Sequence, residues 1–332
     1  MSRRGRWLGL GMLLLAGCGA EPIDEVTAAS TTSSTGADTG AGGGGGASET
    51  PDPGGAGGQG EGGDGGSTSA PTSLRIMTLN LSNGYVNGSD LDHRTQMVID
   101  AVHDLQPDAI ALQEVVQSSG IPNRAAVISQ ATGYQWEWER SYGIPFLYDE
   151  GISLLSRWPI AWRDFAVLPH PDLAGQITRL VLGAGVATPQ GVVSVFATHL
   201  NVGTDPVKRA DQALAAWQYA RSVPSELPGF FAGDLNAEPE GLSMRFLRGE
   251  ASHQGEAGDL VDAWPAANPG DPGHTIPSDD PTRRIDYIYV VPGTGPAPAV
   301  DACQLVLDGE DQGVRASDHI GVVCDFTLAS TP

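Results

Sequence analysis

From Glu21 to about Ser73 the chain consists of Gly, Ser, Thr, Ala and Pro with scattered acids, including the runs "GAGGGGGAS" and "GGAGGQGEGGDGG". A stretch so poor in apolar side chains cannot bury enough surface to offset the entropy of ordering it, so residues 19–73 read as a flexible, disordered tether. Any fold must therefore be built from residues 74–332, which is enough chain for one large domain with a sizeable core.

In front of the tether stands "MSRRGRWLGLGMLLLAGC". Arg3, Arg4 and Arg6 precede a short apolar run, the pattern of an export signal, and the run is too short to span a bilayer as a permanent helix. Its end, Leu15-Ala16-Gly17-Cys18, resembles the lipobox of bacterial lipoproteins. Residues 1–18 are therefore expected to be a lipoprotein signal with Cys18 as the lipidated anchor, and the alternative is a plain secretory signal cut nearby. The expected location is outside the cytoplasm, held by lipid to a bacterial membrane, at the outer membrane or the cell surface.

Residues 1–70 hold eight of the 40 acids and three of the 18 bases, leaving 32 acids against 15 bases, a formal charge of −17, for the rest. So acidic a domain argues against a broad basic face for non-specific nucleic-acid binding, although bound cations can restore attraction locally. Cys303 and Cys324 are the remaining cysteines. In an exported protein a disulfide and a pair of buried thiols stand equally on the sequence.

Along the domain, "SLRIMTLNL" reads as a strand ending at Asn80. "HRTQMVIDAVHDLQ" is a helix, with Met97, Ala101 and Leu105 on one stripe and Val98 and Val102 beside it, and "PDAIALQE" is a buried strand ending at Glu114. After a short helix in "AAVISQAT", strands predominate up to "VVSVFATHL", which ends at His199. A helix over "DPVKRADQALAAWQYARSV" then leads to the buried strand "GFFAGDLN", and a Pro- and Gly-rich loop precedes three late strands in "RRIDYIYVV", "CQLVLDG" and "HIGVVCDFTL". The pattern predicts an α/β (α+β) sandwich of two packed sheets with helices outside and strand ends converging on one rim.

Asn80, Glu114, His199, Asp234, Asn236, Asp286, Asp318 and His319 all fall at or near strand ends. Each alone is an ordinary turn residue. Together on one rim they form an inventory suited to phosphate ester hydrolysis. Carboxylates hold a hard cation such as Mg²⁺, with Mn²⁺ or Ca²⁺ as substitutes, while amides and imidazoles aim water and stabilise charge on the phosphate oxygens.

The ordered series "TLNL", "LQE", "GISLLSRWPI", "ATHL", "GDLNAEP", "RRIDYIYV" and "SDH" resembles the endonuclease/exonuclease/phosphatase superfamily of deoxyribonuclease I-like enzymes across residues 74–332. The resemblance implies a four-layered sandwich of two mixed β-sheets flanked by helices, with the active site at the strand ends. It implies Glu114 as principal metal ligand, with Asn80 and Asp318 close to metal and phosphate. It further implies His319 against the scissile phosphate or its water, Asp286 orienting that imidazole, and Asp234 and Asn236 positioning water and phosphate. By the same resemblance His199 is the second histidine with Glu150 as its carboxylate partner, and Tyr148, two residues before Glu150, and Arg179 contact the substrate phosphate. Alternation around Leu235 is expected to point Asp234 and Asn236 the same way, and each carboxylate is expected to favour the charged form of its histidine.

Departures bear on substrate. Arg284-Ile285-Asp286-Tyr287 replaces the Trp-Cys-Asp-Arg motif of inositol 5-phosphatases. Val116 stands where deoxyribonuclease I carries a minor-groove arginine, and no clear aromatic membrane hairpin is present, "YQWEWERSYGIPF" reading as an ordinary alternating strand. The expectation is a monomeric, metal-dependent phosphodiesterase, nuclease-like and acting on nucleic acid or nucleotides. The alternatives are a sphingomyelinase-like lipid phosphodiesterase or phosphatase working on phospholipid headgroups, and a catalytically silent surface-binding lipoprotein.

Overall fold

The computed structural model describes residues 72–82, 90–144, 147–171 and 177–329. The expected signal, Cys18 and nearly all of the tether lie outside these residues.

The chain forms two six-stranded sheets. The first is assembled from β1 (Thr72–Asn80), β2 (Ala109–Gln117), β3 (Gln135–Ile144), β4 (Tyr148–Ser156), β11 (Ala299–Val306) and β14 (Gly321–Leu328), in the order β11-β14-β1-β2-β4-β3. The second takes β5 (Ile160–Val167), β6 (Leu180–Thr188), β7 (Gly191–His199), β8 (Gly229–Asp234), β9 (Val261–Asp262) and β10 (Asp286–Val291), in the order β5-β6-β7-β8-β10-β9. A small hairpin, β12 (Glu310–Asp311) with β13 (Val314–Arg315), stands apart from both. The expected two-sheet sandwich with outer helices is what the chain adopts.

Each sheet has one parallel pair near its centre, β1 with β2 and β7 with β8, and its other pairings are antiparallel. A parallel pair needs a long crossover, and helices α1 (Leu91–Leu105) and α3 (Pro206–Ser222) supply them. Both parallel pairs therefore end at the same kind of rim. An antiparallel neighbour starts where they end, which brings the first residues of β10 and the segment before β14 to that rim as well.

Three apolar layers hold the sandwich together. Between the sheets, Phe230 of β8 meets Phe326 of β14 with ring centroids 4.6 Å apart. Phe231, one residue on, faces the opposite side and packs with Phe246 and the α3 residues Ala213 and Ala216, as the two-residue period of a strand requires. Met77, Leu79, Ile110 and Leu112 pack beneath α1 and α2 (Arg124–Thr132).

Two expectations change. The stretch after Glu238 contains α4 (Leu242–Leu247) and α5 (Ala263–Ala267) in addition to loop. Elements of five or six residues are too short to leave a readable period, and α4 is held by burying Met244, Phe246 and Leu247. The cysteine question is closed by register: Cys303 and Cys324 lie directly opposite each other on β11 and β14 and form a disulfide.

Candidate active site

β8 and β10 run antiparallel with Asp234 opposite Asp286, and β7 runs parallel to β8 with His199 beside Asp234. This pairing requires Gly233. Its φ is +150°, and a Cβ there would lie 2.0 Å from the Thr198 carbonyl oxygen, so only glycine lets the two strands approach so closely.

His319 precedes β14 and reaches across to the second sheet. Its Nδ1 is 2.9 Å from Asp286 Oδ2, and its Nε2 is 3.7 Å from Asp234 Oδ2. The three residues are 5%, 1% and 2% exposed for His319, Asp286 and Asp234. Burial opposes charge on His319, but the charge and hydrogen bond of Asp286, joined by Asp234 and Asp318, outweigh it and push its pKa up to about 10. Burial together with the charge of Asp286 raises Asp234 to about 7, against the opposing pull of His319 and of the hydrogen bonds from Asn80 and Asn236. The group is thus an imidazolium between two carboxylates, one of which is poised to exchange a proton near neutral pH.

Asn80 ties the sheets together at the rim. Its Nδ2 donates to Asp234 Oδ2 at 3.0 Å and to Glu114 Oε1 at 3.2 Å, while its Oδ1 accepts from the Ser82 N–H at 2.8 Å. The amide therefore offers hydrogen toward the carboxylates of both sheets and has its oxygen engaged by Ser82. Ser317 Oγ donates to the Asn80 carbonyl at 2.6 Å and accepts from the His319 N–H at 3.1 Å, fixing the "SDH" segment against β1.

Glu114 lies inside β2 and not at its end. The strand continues to Gln117, and the register shifts between Leu112 and Val115. At this bulge Glu114 has φ +52°, which swings its carboxylate out of the strand's alternation into the rim. Asn236 likewise does not continue the strand as alternation would require. β8 stops at Asp234, and Asn236 has φ +50° with its N–H donated to Asp234 Oδ1 at 2.9 Å, so a turn aims both side chains while Leu235 stays fully buried.

Asn236 Nδ2 donates to the Leu200 carbonyl and lies 3.0 Å from His199 Nε2, which makes that nitrogen an acceptor. Burial first, then the positive charges of Arg179 and His319, hold His199 well below the usual imidazole range. His199 is neutral, the reverse of the expectation, because burial and the nearby positive charges oppose its protonation, and the groups beside its Nε2 are Asn236 and Asp234 instead of Glu150. Glu150 sits on β4 opposite Val116 and Tyr142. Tyr148 stacks edge-on against Tyr142 and lines a separate cavity of about 390 Å³. Val116, at the position of the minor-groove arginine, is 5% exposed.

One cleft of about 500 Å³ collects Glu114, Arg179, His199, Asp234, Asn236, Asp318 and His319. Asp318 is exposed between buried Ser317 and His319. Three arginines missed in the sequence belong here too. Arg209 and Arg283 line the cleft, and buried Arg94 lies below it, close enough for the carboxylates of Asp318 and Glu114 to act on its charge. Arg94 Nε donates to the Ala316 carbonyl at 2.8 Å and Nη2 to the Leu81 carbonyl at 2.5 Å, which ties the end of β1 to the segment carrying Asp318, and its buried Nη1 has no hydrogen-bond partner among the described residues. Arg94 and Arg209 sit in helices where their charge reads as a solvated face, so no local signal marked them.

Two donor sets are available to a cation. Asp234, Asp286 and His319 are close enough together to form one, but the Asp286–His319 hydrogen bond and the charged imidazole already occupy it. Glu114 and Asp318 offer oxygen donors on the open wall of the cleft, the chemistry of a hard divalent ion.

Residues 77–319 match the Endonuclease/Exonuclease/phosphatase family. The chain belongs to that family. Its members are divalent-metal-dependent hydrolases of phosphoester bonds. The chain is 25% identical over 241 residues to the uncharacterized protein YbhP of Escherichia coli strain K12, covering 68% of this chain and 88% of that one. In fold it is similar to D. rerio TDP2 complexed with a single-strand DNA product, at TM-score 0.61 and 18% identity over 77% of this chain and 99% of the other. It is also similar to the human nocturnin catalytic domain with a bound sulfate anion, at TM-score 0.62 and 18% identity over 77% and 95% of the two chains.

Proposed function

We propose that this family member is a Mg²⁺-dependent phosphodiesterase of nuclease-like type, cleaving by in-line attack of water, and that it works outside the cytoplasm tethered through Cys18. The observation that carries the reading is the buried Asp286–His319–Asp234 group at the foot of a cleft whose walls present Glu114, Asp318, Asn236 and Arg179. Asp234, with its pKa raised to about 7, takes the proton of the attacking water. His319, kept as an imidazolium by Asp286, and Arg179 stabilise the charge that develops on the phosphate oxygens. Asn236 aims neutral His199 and shapes the turn that presents Asp234. Glu114 and Asp318 are the residues that would hold Mg²⁺, which when bound polarises the phosphate and acidifies water. Arg94, beneath both carboxylates, offsets part of their mutual repulsion.

The test is cleavage of plasmid DNA, single-stranded RNA and sphingomyelin by the purified protein with Mg²⁺ and with EDTA. The expected result is EDTA-sensitive cleavage of a nucleic acid, lost by at least a hundredfold in Glu114→Ala. Cleavage that is indifferent to both would sink the assignment of metal and ligand, and selective turnover of sphingomyelin would move the substrate to lipid headgroups.

A further inference from the structure

The arginines of this acidic chain are mostly neutralised in place. Nine described arginines, including Arg75, Arg124, Arg157 and Arg284, hold a carboxylate in an ion pair. Arg209 and Arg283 have no carboxylate partner among the described residues, and both line the cleft. Their placement is fixed from behind. Arg209 Nη1 donates to the carbonyls of Asn201 at 2.8 Å and Gly203 at 2.5 Å, leaving Nε and Nη2 without a described partner. The Arg283 backbone is locked to the segment before it, its N–H to Ile276 at 3.1 Å and its carbonyl accepting from Thr275 at 2.7 Å, while its side chain is exposed.

A single phosphodiester carries one negative charge. The site already sets Arg179 and the His319 imidazole against it, beside the proposed metal ligands Glu114 and Asp318. Two further guanidinium groups without an ion pair among the described residues exceed what one such phosphate needs, and Asp234, the proposed base, and Glu238 are the remaining carboxylates lining the cleft. The surrounding domain is strongly acidic, which weakens the attraction of a long polyanion outside the cleft. About 500 Å³ is the size of an ordinary small-molecule site.

We infer that Arg209 and Arg283 form a second anion subsite, and that the substrate is a short phosphodiester bearing an additional phosphoryl group. This rests on the phosphodiesterase reading for which phosphate is cut, but not for the binding of the second one. Two sources supply such a group, a nucleotide with a terminal phosphate and a phosphorylated lipid headgroup.

The experiment is calorimetric titration of the metal-free protein in EDTA with TpT, pTpT and TpTp, and with glycerophosphoinositol and its 4-phosphate. Wild type is expected to bind pTpT or TpTp at least tenfold more tightly than TpT, and the Arg209→Ala/Arg283→Ala double variant to bring the ratio within threefold. Arg283→Glu, a change at an exposed side chain, keeps the test open should the double variant not fold, and it is expected to abolish the preference. A tenfold preference confined to the phosphorylated inositol pair keeps the subsite and assigns it to headgroups. Equal affinity within each set in wild type, or a preference that survives Arg283→Glu, overturns the inference. Mg²⁺-dependent turnover of bis(p-nitrophenyl) phosphate is measured in parallel: its absence refutes the phosphodiesterase reading, whereas the affinity ratio decides the subsite alone.

Discussion

Gly233→Ala isolates the backbone approach that assembles the site. The added Cβ would meet the Thr198 carbonyl oxygen at 2.0 Å, with the Thr198 C and N atoms at 3.0 and 3.2 Å. All three are backbone atoms of β7, so no flexible side chain can swing away. Relief requires β7 and β8 to separate at the point where His199 stands beside Asp234. Overpacking in a core costs ~1–3 kcal/mol, and a side chain held in a sparsely populated backbone region adds ~1–3 kcal/mol. The expected loss is ~2–6 kcal/mol, a large part of the ~5–15 kcal/mol that stabilises a typical domain. Urea unfolding followed by circular dichroism would show a midpoint lower by roughly 1–3 M at unchanged slope. Gly309→Ala is the control, since nothing lies within 4 Å of a Cβ there. If Gly233→Ala shifted stability no more than the control, the claim that this strand contact positions Asp234 would be wrong.

Four further outcomes follow from the structure. Because Asp234 must lose its proton to act as base and His319 must keep its own, kcat/KM is expected to rise through about pH 7 and fall through about pH 10. The charge of Asp286 contributes to both upward shifts, so Asp286→Asn moves both limbs to lower pH; a pH–rate profile with unmoved limbs would contradict the assignment. The raised His319 pKa also stabilises the fold fully below the unfolded value of 6.5, a contribution lost as pH climbs through about 10. Asp262→Ala strands the buried Arg284 guanidinium, which donates to both Asp262 oxygens at 2.9 and 2.8 Å, and should cost ~3–5 kcal/mol in urea unfolding, most of it recovered in Asp262→Ala/Arg284→Met. Replacing both Cys303 and Cys324 by Ala opens a link between residues 21 apart and should lower stability by about 3 kcal/mol, read by the same assay.

Much of this architecture was legible in sequence. The two-residue period of "GFFAGDLN" depends on neighbours a few positions away and places its apolar side chains where the pattern predicts, whereas the helix over "HRTQMVIDAVHDLQ" buries Val98, Ile99 and Val102 and leaves the stripe of Met97, Ala101 and Leu105 half-buried. The polar residues that break strand ends were equally readable, since a parallel pair with a helical crossover gathers such ends on one rim. The aiming of Glu114 and Asn236 was not. Both leave their strands by left-handed backbone, one at a bulge and one in a turn stabilised by its own Asp234, and a period cannot report a break in itself. Arg94 and Arg209 were missed because a charge on an amphipathic helix looks the same whether it meets solvent or a cleft.

By itself the sequence determined the main strands and the longer helices, the alternating faces of the central strands, and most of the chemical groups that stand at the rim. Only the tertiary structure decided who meets whom there: Asn236 and Asp234 at His199 in place of Glu150, Cys303 against Cys324, and Asn80 turning its nitrogen to carboxylates on both sheets. The physical reason is range. Backbone periodicity is set by sterics between near neighbours, whereas a partner across two sheets is fixed by strand register and close packing, which no local pattern encodes.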